Sequence, residues 1–441
     1  MTSTIPATAA VAHAYDVVVI GGGPAGMGAA IAAQQAGARV AIVERDAHLG
    51  GILRQCIHPG FGLEHFKEEL TGPEYAQRLI NEVAALPIDV HTGAMVIAID
   101  GDADTVGGGA HRVTCMSEEE LLELDARAVV LAMGCRERTR SEIKIPGSRP
   151  AGVFTAGLAQ RYINIENLAP GRRAVILGSG DIGLIMARRC ALEGMEVEGV
   201  YELMPYANGL YRNVKNCLED FGIPLHLSTT VTRIIGDARV EAVEVSRVDE
   251  HLSPIPGTER VVPCDTLLLS VGLIPENELS TKAGVELDPR TRGAKVDESL
   301  MTSVPGIFSC GNVLHVHDLA DNATAEAQRA GRAAATWALR ESDREDESQD
   351  AIAVEAAGLA GYAVPSRING VDALVKIWFR VRAPIECGRI RIISGDETLF
   401  CGKPRAFKPS IMESVPVTPA MLKRAQGRIT LSIESIEEDA R

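Results

Sequence analysis

The sequence predicts an α/β fold that contains two copies of one strand–turn–helix–strand unit and ends in a small β-rich module. Three observations carry this expectation. The β-branched run Tyr15–Ile20 leads into Gly21-Gly22-Gly23-Pro24-Ala25-Gly26. The same order of features returns at Arg173–Leu177 and Gly178-Ser179-Gly180-Asp181-Ile182-Gly183. From about residue 371 the pattern changes to strand-like alternation. Length agrees, since 441 residues at roughly 100 to 200 per domain allow two to four domains.

The first 13 residues carry no Lys or Arg and run directly into a strand, so a disordered tail is expected there and not a signal peptide. After the first glycine-rich turn an Ala-rich helix extends to about Ala36. Gly37 closes it, and Val40–Val43 is a buried strand ending at Glu44. Met95–Ile99, Arg112–Met116 and Arg127–Leu131 read as strands, with Gly107-Gly108-Gly109 as a turn. The small residues of Ala132-Met133-Gly134 let backbone lie close to something flat or extended. The second unit continues with a helix over Leu184–Glu193 and a strand over Val197–Tyr201, which leads to Glu202. Val240–Val248, Arg260–Val262 and Asp265–Val271 follow as strands, the last running into Gly272. Pro305–Val313 reads as a buried strand and turn, and Asn322–Leu339 as a helix of small residues. Arg340–Asp350 is a charged run, expected to be a linker or a solvated helix end. Beyond it Leu374–Val381, Arg389–Ile393 and Ile429–Ile433 alternate as strands do, in a module whose expected role is packing or association.

A strand, a Gly-rich turn, a helix and then an acid about 18 residues after the last glycine form a dinucleotide fingerprint in its required context. The first Gly allows the tight turn, the second lets a pyrophosphate approach the backbone, and the third lets helix pack on strand. Free N–H groups at the helix start hold the phosphates. Glu44 and Glu202 can each accept from a ribose diol and would repel a 2′-phosphate, so both Rossmann-like units favour FAD or NAD. NAD(H) is thus preferred to NADP(H), although Arg212, ten residues after Glu202, leaves NADPH open.

Composition narrows the partners. Lys and Arg total 44 against 59 Asp and Glu, and a formal charge of −15 argues against nucleic acid. No apolar run reaches the roughly 18 residues of a membrane span, so the cytoplasm is the expected compartment. The nine cysteines show no C-x-x-C and no paired framework, which fits reduced thiols and no metal site.

Two dinucleotide units, the second inserted into the first with a return near Gly311, resemble the two-dinucleotide-binding flavoproteins that include the disulfide reductases. The resemblance covers about residues 14–340. It implies FAD on residues 14–158 and 281–340 and a nicotinamide nucleotide on 159–280, while the charged run and the later alternation place a linker at 341–352 and a separate module at 353–441. On the FAD side it assigns Gly21, Gly23, Pro24, Ala25, Gly26, Glu44, Arg45, Gly51, Ala132, Gly134, Gly311, Asn312 and His317. On the nicotinamide side it assigns Gly178, Gly180, Asp181, Ile182, Gly183, Glu202 and Gly272. Disulfide reductases carry two cysteines soon after the Gly50-Gly51 pair, whereas this chain offers Cys56 alone, and their usual late acid is here Asn312. More local matches at 51–63, 68–75, 134–138, 145–152 and 310–318 resemble a bacterial NAD(P)/FAD-dependent oxidoreductase branch found alongside a glycerol-3-phosphate dehydrogenase-type flavoprotein. That branch is similar to the α subunits of opine and amino-acid dehydrogenase complexes. It implies an oligomer and a partner flavoprotein subunit.

Cys56 is either a redox thiol near the flavin or inert packing, and His58 either a proton donor or a cap on backbone. His315 and His317 precede a long helix whose start, by resemblance, faces the flavin pyrimidine ring. Arg136, Glu137, Arg138 and Arg140 are either a salt-bridged domain hinge, the preferred reading, or a substrate-binding cluster. Three functions follow: an NADH-linked flavin oxidoreductase serving a partner protein, a self-contained flavin reductase of a small metabolite, or an assembly subunit that holds nucleotide without turnover.

Overall fold

A computed structural model describes residues 13–101, 111–340 and 351–436. The expected N-terminal tail apart from His13, the Gly107-Gly108-Gly109 turn and the linker up to Asp350 lie outside the described residues. In chain order the principal elements are β1 (His13–Ile20), α1 (Pro24–Gln35), β2 (Val40–Val43), β3 (Ile88–His91), β4 (Met95–Gly101), β5 (His111–Met116), β6 (Leu121–Leu131), β7 (Arg173–Leu177), α2 (Asp181–Leu192), β8 (Glu196–Tyr201), β9 (Thr266–Leu269), β10 (Ile307–Ser309), α3 (Ala320–Leu339), β11 (Ile352–Gly358), β12 (Ile385–Ser394) and β13 (Arg428–Ser435). They divide into two compact units, one up to Cys135 and from Pro275 onward, the other Arg136–Ile274.

The first unit is built on a seven-stranded sheet in the order β3-β2-β1-β6-β5-β4, with β10 also on β6. β1 lies parallel to both β2 and β6 and is buried on both faces, which is why it reads as an unbroken β-branched run. The 11-residue β6 serves two neighbours along one edge: its first half pairs antiparallel with β5, and Val129–Leu131 pair parallel with β10. Helices α1 and α3 meet through small residues, and a Cβ on Gly331 would stand 2.0 Å from the Ala29 carbonyl oxygen. The Ala- and Gly-rich composition of both helices follows from that approach.

The second unit carries a five-stranded parallel sheet in the order Val153–Thr155, β9, β7, β8, Leu225–His226. An antiparallel sheet of Thr229–Gly236, Val240–Arg247 and Arg260–Pro263 completes it. Residues 136–158 belong here because Val153–Thr155 pair with β9 and the Arg138 N–H donates to the Gly272 carbonyl. Conversely Asn277 donates to the carbonyls of Arg292 and Val313 in the first unit.

In the C-terminal part of the first unit β13 pairs parallel with β11 and antiparallel with β12. Ile429, Leu431 and Ile433 point into a core with Ile377, Phe379, Ile392 and Phe407, so the alternation of the sequence is that of a half-buried sheet. Among the described residues no helix is long and apolar enough to cross a membrane.

Candidate nucleotide-binding and redox site

The first glycine-rich turn bridges β1 and α1, and its tightness is visible atom by atom. A Cβ on Gly26 would sit 1.7 Å from the Gly21 carbonyl oxygen, and one on Gly21 would sit 2.4 Å from that of Ala132. Neither clash can be relieved by a side chain, because both partners are backbone. Around Gly23 and Gly134, in contrast, nothing lies within 4 Å of a built Cβ. That open space is where an extended ligand can meet the N–H groups at the start of α1. Glu44, 7% exposed at the end of β2, reaches back to the turn: it accepts the Gly22 N–H at 2.6 Å and the Asp46 N–H at 2.7 Å, one on each oxygen. Each oxygen keeps acceptor capacity for a ribose hydroxyl.

The second turn repeats this construction between β7 and α2. A Cβ on Gly183 would stand 2.5 Å from the Gly178 carbonyl, and one on Gly178 would stand 2.0 Å from the Ser270 carbonyl. Glu202, 4% exposed, accepts the Ser179 N–H at 2.9 Å, the Ser179 hydroxyl at 2.6 Å and the Met204 N–H at 2.9 Å. Ala132 with Gly134 and Ser270 with Gly272 occupy matching positions, and both trailing glycines have positive φ, +74° and +103°.

Several residues singled out in the sequence therefore come together. Gly51 approaches the first turn, its Cβ direction 3.0 Å from Gly23 Cα, and Gly311 presses on Ala25. Arg45 is exposed at the end of β2. Asp181 opens α2, yet its carboxylate accepts the Leu210 N–H at 2.8 Å and the Asn213 amide at 2.7 Å, so it holds the following loop over the turn. Ile182, next to it, packs against the core of this unit. Asn312 spends its carbonyl oxygen on the His317 N–H at 2.9 Å and points its amide at Cys135 Sγ, 3.6 Å away.

Cys56 is buried, donates to the Ile52 carbonyl at 3.3 Å, and burial pushes its thiol up to about 12. At neutral pH it is a protonated thiol, not the thiolate a dithiol relay needs. None of the nine cysteines is joined in a disulfide. His58 stands on the loop, 3.0 Å from the Pro59 carbonyl and 5.1 Å from the Phe61 ring centre. Of the charged stretch, Arg140 donates to the carbonyls of Ile145, Gly147 and Ser148, and Glu137 accepts the Gly157 N–H. Backbone carbonyls thus occupy Arg140, where the sequence suggested an ion pair.

Sequence reasoning passed over Glu326 and Asp321 on α3. Asp321, 4% exposed, gathers the N–H groups of Gly62, Glu64 and His65. Glu326 accepts from the Gly311 N–H at 2.8 Å and lies 2.8 Å from His315 Nε2 and 3.1 Å from His317 Nε2. Burial pushes the Glu326 carboxyl up, but the two imidazoles outweigh it and hold it well below the usual range. Burial pushes His315 down against the pull of that carboxylate. The only signal in the sequence was an acid among alanines on a small-residue helix.

The pyridine nucleotide-disulphide oxidoreductase family matches residues 15–327, well over half of the chain and both turns. The chain belongs to this family. Members of the pyridine nucleotide-disulphide oxidoreductase family are flavin-dependent oxidoreductases that use a pyridine nucleotide. Among its relatives, one of the subunits of the opine oxidase of Agrobacterium tumefaciens (strain Ach5) is 27% identical over 68% of this chain and 61% of its own. Hydrogen cyanide synthase subunit HcnB of Pseudomonas aeruginosa is 28% identical over 61% of this chain and 59% of its own. The chain thus spans about three-fifths of the length of these relatives. In fold it is similar to T. acidophilum thioredoxin reductase, with a TM-score of 0.60 at 23% identity, over 74% of this chain and 100% of that one.

Proposed function

We propose that the chain is an FAD-dependent NAD(P)H oxidoreductase that exchanges hydride between a nicotinamide nucleotide and FAD and passes electrons to a partner dehydrogenase subunit. The observation that carries this reading is the paired construction of the turns, each with an inward-facing acid tied to its own backbone. One turn would hold each nucleotide: FAD on Gly21–Gly26 with Glu44, Gly51 and Gly311, and the nicotinamide nucleotide on Gly178–Gly183 with Glu202 and Gly272. The open backbone over Gly23 and Gly134 fits an extended cofactor. Bound flavin supplies the two-electron chemistry. The protein's own groups bind, orient and exclude water: helix starts face phosphates, and buried acids read ribose hydroxyls. Glu202 favours NADH over NADPH on charge grounds.

A partner protein is supported by the relatives named as subunits, and the branch resemblance points to a glycerol-3-phosphate or amino-acid dehydrogenase flavoprotein. The protonated, buried Cys56 speaks against a disulfide substrate reduced through a dithiol of this chain. An anaerobic visible-absorption titration with NADH tests the reading. Bleaching at one equivalent per bound flavin is expected; bound flavin that neither NADH nor NADPH bleaches would overturn electron entry through the second unit.

A further inference from the structure

The C-terminal sheet takes hold of the segment beside the first glycine-rich turn through one side chain, Arg380. The strand Val375–Phe379 buries Val375, Ile377 and Phe379 in the core of that sheet and pairs antiparallel with Glu413–Val417. Phe379 lies opposite Glu413, so the residues just past this pair, Arg380 and Met412, leave the ladder side by side. Both grasp Asp318: Arg380 pairs with Oδ1, and the Met412 N–H donates to Oδ2 at 2.6 Å. The guanidinium also donates to the Val316 carbonyl at 3.0 Å and to the Pro409 carbonyl at 3.2 Å. The Arg380 backbone is fixed as well, its carbonyl accepting the Gly361 N–H at 2.7 Å. The side chains of Arg380 and Asp318 are 18% and 19% exposed, so the pair is largely shielded from water. A planar fork meeting three acceptors sets direction as well as distance.

The segment that Arg380 grips begins at the first turn. Gly311 presses on Ala25, a built Cβ standing 2.7 Å from the Ala25 side chain, and the Val313 carbonyl accepts from Asn277 at 2.8 Å. Asn312 accepts the His317 N–H at 2.9 Å, which links the start of the segment to its end. Val316 and Asp318 at that end are the residues that the C-terminal sheet anchors. Without Arg380 the Val316 carbonyl loses a donor and the Asp318 carboxylate loses its counter-charge, so both gain by turning toward water. That movement pulls on the His317–Asn312 bond. Arg380, Pro409 and Met412 all lie beyond residue 327, where the family match ends.

We propose that Arg380 is a positioning residue for the flavin site: with Met412 it clamps Asp318 and the Val316 carbonyl, and so fixes residues 311–318 against the first turn. This rests on the reading that the first unit holds FAD. The C-terminal module is then part of the FAD site and does more than pack or associate.

The test measures FAD dissociation constants of the full chain by fluorescence titration and, at saturating FAD, the visible circular dichroism of the bound flavin. Arg380→Ala should raise the dissociation constant about tenfold. It should also change the dichroism of the saturated chain, which loss of stability alone would leave as it is. Arg380→Lys keeps the charge without the fork and should raise the constant about threefold; it decides where Arg380→Ala does not fold. Arg389→Ala breaks a pair with Glu434 in the same sheet, at 2.8 Å, and should leave both readouts at their wild-type values. Arg380 variants with wild-type affinity and dichroism overturn the proposal and leave the FAD reading standing. An equal change in Arg389→Ala does the same, since any loosening of the sheet would then suffice. A wild-type chain that binds no FAD sinks the FAD reading and the positioning role together.

Discussion

The two glycine-rich turns differ in what lies over them and in the charge at the start of the helix. Over the first, Gly50 donates its N–H to the Gly22 carbonyl at 2.8 Å, Gly51 approaches Gly23, and α1 begins with uncharged Pro24. Over the second, a loop leans in through its own N–H groups: Asn208 to Ser179 Oγ at 2.9 Å and Leu210 to Asp181 at 2.8 Å. α2 therefore opens with a carboxylate where a pyrophosphate would approach. An acid there stabilises an empty helix start but opposes an anionic ligand. Under the proposed assignment, the loop after the second strand tunes one fingerprint for a retained cofactor and the other for an exchanging one.

The sharpest way to break this contrast is at the glycines. Gly26→Ala places a methyl 1.7 Å from backbone oxygen, so the first turn must open. Flavin content of the purified protein is expected to fall more than about tenfold, or the chain to fail to fold. Gly183→Ala, at 2.5 Å, should weaken nicotinamide nucleotide binding about tenfold with flavin content unchanged. Equal loss of flavin in both variants would dissolve the distinction between the turns.

Glu202→Arg comes next. Removing the acid proposed to meet the ribose and adding a cation should shift the NADH to NADPH ratio of kcat/KM by about ten- to a hundredfold toward NADPH. Unchanged ratios would show that Glu202 does not meet the ribose. A smaller effect is expected for Asp181→Asn, which keeps a hydrogen-bond acceptor for Leu210 while removing the charge. NADH should bind about two- to fivefold tighter by fluorescence titration; weaker binding would show that the loop, not the charge, dominates.

The smallest effect concerns Cys56. Cys56→Ala should leave bleaching by NADH within about twofold, because the thiol is protonated at working pH. It should alter alkaline stability instead. Burial raises the thiols of Cys56, Cys115, Cys190 and Cys264 from 9.0 to about 12. Above the unfolded value, unfolding releases protons that the fold retains, so stability present below it is lost as pH rises. Urea midpoints measured from pH 8 to 10.5 should fall, with a shallower slope in Cys56→Ala.

Much of the site was legible in the sequence because the fingerprint is contiguous. Tyr15 to Glu44 contains strand, turn, helix and acid, and the glycine spacing is dictated by clashes within the turn itself, as Gly26 against Gly21 shows. The same holds for Arg173 to Glu202. The small-residue helix 320–339 was readable too, because α1 and α3 come so close that Gly331 has no room for a Cβ beside the Ala29 carbonyl.

Glu326 was not legible, although it lies only nine residues from His317. A 3₁₀ turn at Gly311–Val313 and the reversal before α3 bring the loop histidines back onto the helix face, and no local spacing rule encodes that. Asp321 finds its partners more than 250 positions away in the chain. The state of Cys56 likewise depends on its burial, which neighbouring residues alone do not set. The sequence by itself determined the two glycine-rich turns and their acids, because their geometry is short-range and steric. Only the tertiary structure decided which charges are buried together, because desolvation and pairing across distant segments depend on how the whole chain packs.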